Sequence, residues 1–236
     1  KNNFMKKTLN YLIVLILLFS SFNAFAATGP ATEYKVTMTK IELCETGSTT
    51  ANCLNALTIS PTGTSGAVDI AAVDAGATAG SYGNIAKAKI GTLYTYIQIT
   101  MSRQFSMTGT AGSCATKAGE TGSKTADAAG QTGGTPGSST LYVPDSNSYD
   151  DHMNGSVDSL GATVSNDGVV GSSDEYFQYR KIISGNGLRV KAGDFPTVKV
   201  AFDVSNAVGE GTGGAAACTA NVMYANEPGM TISFVD

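Results

Sequence analysis

Leu93 to Met101 reads LYTYIQITM, and its residues alternate strictly between two faces. Leu93, Thr95, Ile97, Ile99 and Met101 share one face, and Tyr94, Tyr96, Gln98 and Thr100 share the other. A period of two over nine residues is the signature of a β-strand, and no helix can bury such a pattern on one stripe. Phe105 and Met107 keep the apolar parity, so the strand is expected to bend and carry on.

The same period recurs along the chain. Val198, Val200, Phe202 and Val204 alternate behind Pro196, and Met230, Ile232 and Phe234 alternate at the C-terminal end. Tyr34, Val36 and Met38 alternate, then Ile41 and Leu43 take over on the opposite parity. A phase change inside one strand marks a β-bulge. Weaker strand candidates are 54–59, 67–71, 139–143, 176–183, 188–191 and 217–224, and only 85–90 and 176–183 leave room for a short helix. Many strands without a helical period indicate an all-β fold. We expect a β-sandwich of about nine or ten strands, transthyretin-like or jelly-roll-like. Residues 109–139 are nearly all Gly, Ser, Thr and Ala with scattered charges, and are expected to form a long solvated loop.

The first residues belong to a different regime. Met5-Lys6-Lys7 precedes an almost unbroken apolar run from Leu9 to Phe19, and Ala24-Phe25-Ala26 forms an A-x-A site. This is the three-part pattern of a secretory signal peptide. A membrane anchor would need about 20 apolar residues, more than this run offers. Residues 1–26 are therefore expected to be a leader, with 1–4 as flank ahead of Met5. Residues 27–236 would be a single exported domain with no lipid anchor and no later membrane span. Its place would be the cell surface or the extracellular medium, with the periplasm as the alternative.

The four cysteines agree with export, since an even count suits an oxidising compartment. Cys44 and Cys53 close a short loop and are the easiest pair, which leaves Cys114 with Cys218. A zinc site would want closer spacing than the 44/53 gap.

Residues 34–103 carry a resemblance. Val36-Thr37-Met38-Thr39-Lys40-Ile41-Glu42-Leu43, then Val68-Asp69-Ile70, then Gly91-Thr92-Leu93-Tyr94-Thr95-Tyr96-Ile97-Gln98-Ile99 resemble a family of exported bacterial and archaeal β-sandwich domains of unknown function. The resemblance implies export and a transthyretin-like or carbohydrate-binding-like sandwich, and no reaction. Gln98 stands where that family commonly has Arg. Lys40 and Glu42 read as charges on the outer face of a strand rather than as a site.

Chemistry-bearing groups are sparse. Charged residues make up 14% of the chain, against roughly 25% in typical domains. Fifteen basic residues against nineteen acidic ones leave no footprint for nucleic acid. His152 is the single histidine, and no G-x-S-x-G elbow surrounds any serine. Asp145, Asp150 and Asp151 form the one dense acidic constellation, a candidate calcium site. It fails the EF-hand template, with Asp150 at position six and Ser156 at position twelve counted from Asp145, so a solvated acidic turn is the default and no other cofactor is expected. Tyr94 and Tyr96 are candidates for stacking on a glycan, against the ordinary role of covering a sheet face.

Two function classes remain: a non-catalytic surface structural protein, as a filament, adhesin or surface-layer subunit, and a secreted carbohydrate-binding module. For the first, the terminal strands are expected either to leave unpaired edges that a neighbouring copy completes or to pair with internal strands of the same chain.

Overall fold

The computed structural model describes residues 27–50, 52–61, 63–72, 84–143, 153–157, 175–193, 197–211, 218–226 and 228–235. The protein is all-β, built on a large antiparallel sheet with a second sheet of two strands.

The spine is β2, Ala31–Glu45, which follows the short β1, Ala27–Gly29, after Pro30. One edge of β2 pairs with β4 (Ala67–Asp69) and β3 (Leu57–Thr58). The other edge pairs with β5 (Leu93–Ser102) and then β6 (Gln104–Ala111), which run on as one strand bent at Arg103. This is the continuation that the parity of Phe105 and Met107 indicates. The phase change in β2 is also present: its register to β5 shifts between Met38 and Lys40. The extra residue keeps both Tyr34-Val36-Met38 and Ile41-Leu43 toward the core. Between β4 and β5, Ile85–Lys87 forms one 3-10 turn, capped by the Asn84 side chain accepting from Ala86 N–H.

The far edge of the β5–β6 strand takes a series of partners. Leu188–Arg189 (β12) and Tyr176–Ile182 (β11) pair with β5, and Ser139–Tyr142 (β9) pairs with β6. Met153–Val157 (β10) adds to the outside of β11. Thr197–Asp203 (β13) and Gly229–Val235 (β16) form the two-stranded sheet. Phe202 and Met230 from that sheet meet Tyr34, Val36, Ile99 and Phe105 from the large one across an apolar interior. Tyr34 and Phe177 both set their rings edge-on to Phe105, with centroids 5.4 and 6.1 Å away. A gap of about 60 Å³ remains there, well below the roughly 300 Å³ at which ligand pockets begin.

Residues 109–139 correct the expectation of a loop. They hold the end of β6 and two further strands, β7 (Cys114–Thr116) and β8 (Ala128–Thr132). With Val208–Glu210 (β14) and Asn221–Ala225 (β15), these strands close a ring. Its order runs β1, β14, β15, β8, β7, β6 and back to the start of β2. The ring is narrow, and its composition follows from that. A Cβ on Gly109 would lie 2.3 Å from the Pro30 carbonyl oxygen, and one on Gly130 would lie 2.8 Å from that of Cys218. Only small residues let these backbones approach so closely, so Gly, Ala and Thr fill positions that Val or Ile fill elsewhere. Ala111, Ala115, Ala128 and Ala207 are all buried there.

Both expected disulfides are present, Cys44–Cys53 and Cys114–Cys218. One lies at the C-terminal end of the spine and the other inside the ring at its N-terminal end. Their sequence separations are 9 and 104. Loop-closure entropy then assigns about 2.6 kcal/mol to the short bridge and about 4.7 kcal/mol to the long one. Urea denaturation of Cys44→Ala/Cys53→Ala and Cys114→Ala/Cys218→Ala tests this ordering. The second variant is expected to lose more stability, and equal losses would refute the loop-length account.

Candidate functional site

The outer face of the large sheet carries a continuous row of polar side chains. Because of the bulge, Lys35 and Thr37 before it and Lys40 and Glu42 after it fall on this face. Pairing aligns Glu42 with Gln98 and Gln98 with Arg180, then Thr100 with Gln178, then Ser102 with Tyr176.

At one end the row is buried. Glu42, Gln98, Gln178 and Arg180 are each at most 5% exposed. Gln98 Nε2 donates to Glu42 Oε2 at 2.6 Å, and Arg180 Nε donates to Gln98 Oε1. Arg180 Nη2 reaches Gln178 Oε1 at 2.9 Å, and Arg180 Nη1 reaches the Thr50 carbonyl at 3.1 Å. Lys40 Nζ adds an ion pair to Glu42 at 3.1 Å. The Lys40–Glu42 pair is therefore no solvent-facing decoration, because Glu42 is sealed into a ladder across three strands. Burial pulls the Arg180 guanidinium below its ordinary pKa, and the Glu42 carboxylate opposes that shift.

Thr50 belongs to the loop that Cys44–Cys53 closes. Glu45 N–H donates to Leu54 O at 2.9 Å and Thr46 N–H to Leu93 O at 2.9 Å, so the loop folds back on the sheet. The short disulfide thus holds a cover over the charged end of the row.

At the other end the row opens into a groove of about 310 Å³. Lys35, Thr37, Gln104, Ser106, Thr140 and Tyr176 line it. Beside it, Glu33 Oε1 accepts from Ser106 Oγ at 2.8 Å and Ser138 Oγ at 2.9 Å, and Glu33 Oε2 pairs with Lys35 Nζ at 3.1 Å. Partial burial would raise the Glu33 pKa, but Ser106, Ser138 and Lys35 together hold it below the ordinary 4.5. A set of hydroxyls, one amide, one ammonium and one phenol ring can hydrogen-bond a polyhydroxyl ligand.

The tyrosines chosen from sequence are not in this groove. Tyr94 is fully buried, with its hydroxyl oxygen accepting from Lys89 N–H at 3.1 Å, so it has no ring face to offer a glycan. Tyr96 is half-buried, opposite Cys44 and Ile182. The tyrosine that borders the groove is Tyr176, which sequence reasoning passed over. Its signal was the alternation of Tyr176, Gln178 and Arg180 against Phe177 and Tyr179. Asp145, Asp150 and Asp151, like His152, lie outside the described residues. Among the described residues no three Asp, Glu, His or Cys side chains cluster as a metal site. Nor is any helix there long and apolar enough to cross a membrane.

The chain matches no protein-family model, no curated protein and no solved structure.

Two measurements follow from this geometry. Arg180→Leu leaves the Glu42–Gln98 end of the ladder without its guanidinium, and a loss of about 3 kcal/mol is expected in urea denaturation. Glu42→Gln in the same background is expected to recover part of it, and no recovery would show that the two charges are not coupled. For Glu33, a depressed folded pKa means stability that is present above about 4.5 and lost as pH falls through the folded value. Ser106→Ala/Ser138→Ala is expected to move the Glu33 carboxyl titration upward in an NMR pH series. An unchanged titration would remove the serines as its cause.

Proposed function

We propose that this is an exported, non-catalytic structural protein of the cell surface, a subunit of a filament, adhesin or surface layer. The observation that carries the reading is the placement of the two disulfides, one at each end of the spine strand. Covalent staples of this kind persist in oxidising compartments and suit a protein that must hold its shape outside the cell. The A-x-A leader pattern and the low charge point the same way. The expected test outcome is that the chain, produced with its leader, reaches the surface of intact cells and is cut there by added protease. A chain that stays inside the cell with reduced thiols would overturn the reading.

A second reading, a carbohydrate-binding module, is favoured by the open groove. Its ligand would be a neutral or acidic sugar, hydrogen-bonded by Gln104, Ser106 and Thr140 and flanked by the Tyr176 ring. On a glycan array the chain would bind a restricted set of sugars, and Tyr176→Ala would weaken that binding by roughly tenfold or more, as loss of an aromatic platform does. Uniform silence across the array would exclude it.

A further inference from the structure

The buried end of the ladder holds more than strand register needs. Lys40, Glu42 and Gln98 converge there from two adjacent strands, and Arg180 reaches in from a third. Lys40 pairs with Thr100 and Glu42 with Gln98, so Lys40 and Gln98 are diagonal neighbours on one sheet face. Long side chains can meet across that diagonal. Here they meet at one carboxylate. Lys40 Nζ lies 3.1 Å from Glu42 Oε1, and Gln98 Nε2 donates to Glu42 Oε2 at 2.6 Å. Thr58 Oγ1 also donates to Oε1, at 3.3 Å.

These partners fix which way the Gln98 amide points. A carboxylate only accepts and a guanidinium only donates, so the amide nitrogen faces Glu42 and the carbonyl oxygen faces Arg180 Nε. That orientation polarises the amide as acyl transfer requires. A cation on the carbonyl oxygen stabilises the oxyanion of a tetrahedral intermediate. A carboxyl group on the nitrogen can hand the leaving group a proton, and this one is also within proton-transfer distance of an amine. Lys40, half-buried beside it, supplies the nucleophile. Glu42, Gln98 and Arg180 are buried, and the Thr50 carbonyl of the disulfide-closed loop accepts from Arg180 Nη1 at 3.1 Å, which keeps water from competing with the amine.

We propose that Lys40 and Gln98 join in an intramolecular amide bond, formed once in each folded chain by its own residues. Glu42 takes a proton from Lys40 Nζ, and the freed amine attacks Gln98 Cδ. A C–N bond forms, and the carbonyl electron pair moves onto Oε1, where Arg180 Nε–H holds it. Glu42 returns its proton to Nε2. The C–Nε2 bond breaks as the carbonyl re-forms, and Nε2 leaves as ammonia. Glu42 then takes the extra proton from Nζ and passes it to the ammonia. A lysine ammonium and a carboxamide thus become a secondary amide and an ammonium ion, with no oxidant, reductant or cofactor. The bond ties the spine β2 to β5, and unlike the disulfides it survives reduction. It goes beyond the structural reading above and does not depend on export.

Intact-mass spectrometry of the purified, oxidised chain tests the proposal. The expected mass is one ammonia below that calculated for the same chain with its two disulfides. After reduction and protease digestion, a branched peptide is expected to join Lys40 to Gln98. Lys40→Arg keeps a cation beside Glu42 but supplies no amine nucleophile, and Glu42→Gln removes the proton carrier. Both variants are expected at full mass, with circular dichroism checking that they fold. A wild-type chain at full mass overturns the proposal, and so does an ammonia deficit that persists in either variant. The branched wild-type peptide decides the matter even where a variant fails to fold. None of these results touches surface exposure, which protease treatment of cells reads separately.

Discussion

Strand β2 is hydrogen-bonded along both edges, to β4 and β3 on one side and to the β5–β6 strand on the other. A strand with both edges satisfied can be buried on both faces without orphaned amides. The large sheet, the ring and the second sheet all take their positions from it. The ring is closed by its N-terminal half, the polar ladder stands on its C-terminal half, and the two-stranded sheet packs over its apolar side. The bulge at Met38–Lys40 lets one strand serve all three, because it resets which residues face the core as the partner strand bends at Arg103.

The ladder on the outer face is an unusual use of the interior. A buried carboxylate and guanidinium cost several kcal/mol each to desolvate, and a well-made network roughly offsets that cost. Glu42, Gln98, Arg180 and Gln178 therefore add little net stability. What they contribute is register. A one-residue slip of β5 against either neighbour would carry Gln98 to the apolar side and strand two charges without partners. The loop closed by Cys44–Cys53 matters for the same reason, since its Thr50 carbonyl completes the hydrogen bonding of Arg180.

The ring works by close approach instead. Gly109 lies against Pro30, Gly130 against Cys218, and the Tyr224 ring covers Gly209, where a Cβ would come within 2.3 Å of it. A narrow ring of this kind buries little apolar surface per residue, so its core contributes less than the sandwich does. The Cys114–Cys218 bridge supplies constraint where hydrophobic burial is thin, and it joins segments that the chain order separates by 104 residues.

Much of the sandwich was legible because alternation reports which residues share a face. The period at Leu93–Met101, the phase change after Met38 and the run at Val198–Val204 each correspond to a strand or a bulge. The short disulfide was legible from spacing, and the long one followed from it. Alternation does not report what lies on a face. Tyr94, Gln98 and Glu42 read as an outer row, and only the folded cover of the Cys44–Cys53 loop and strand β11, whose Arg180 meets Gln98 from 82 residues away, made that row interior. Composition misled at 109–139 for a related reason. Gly, Ala and Thr look like loop when judged by hydrophobicity, yet they are what a tight ring of strands requires. Thus the amino-acid order by itself determined the alternating strands of the sandwich and their faces, because these depend on near neighbours, and the cysteine pairs, because the short Cys44–Cys53 loop left Cys114 and Cys218 for each other. Tertiary structure alone decided which polar face is sealed and where the groove opens. Those depend on the distance between backbones that are far apart in the chain.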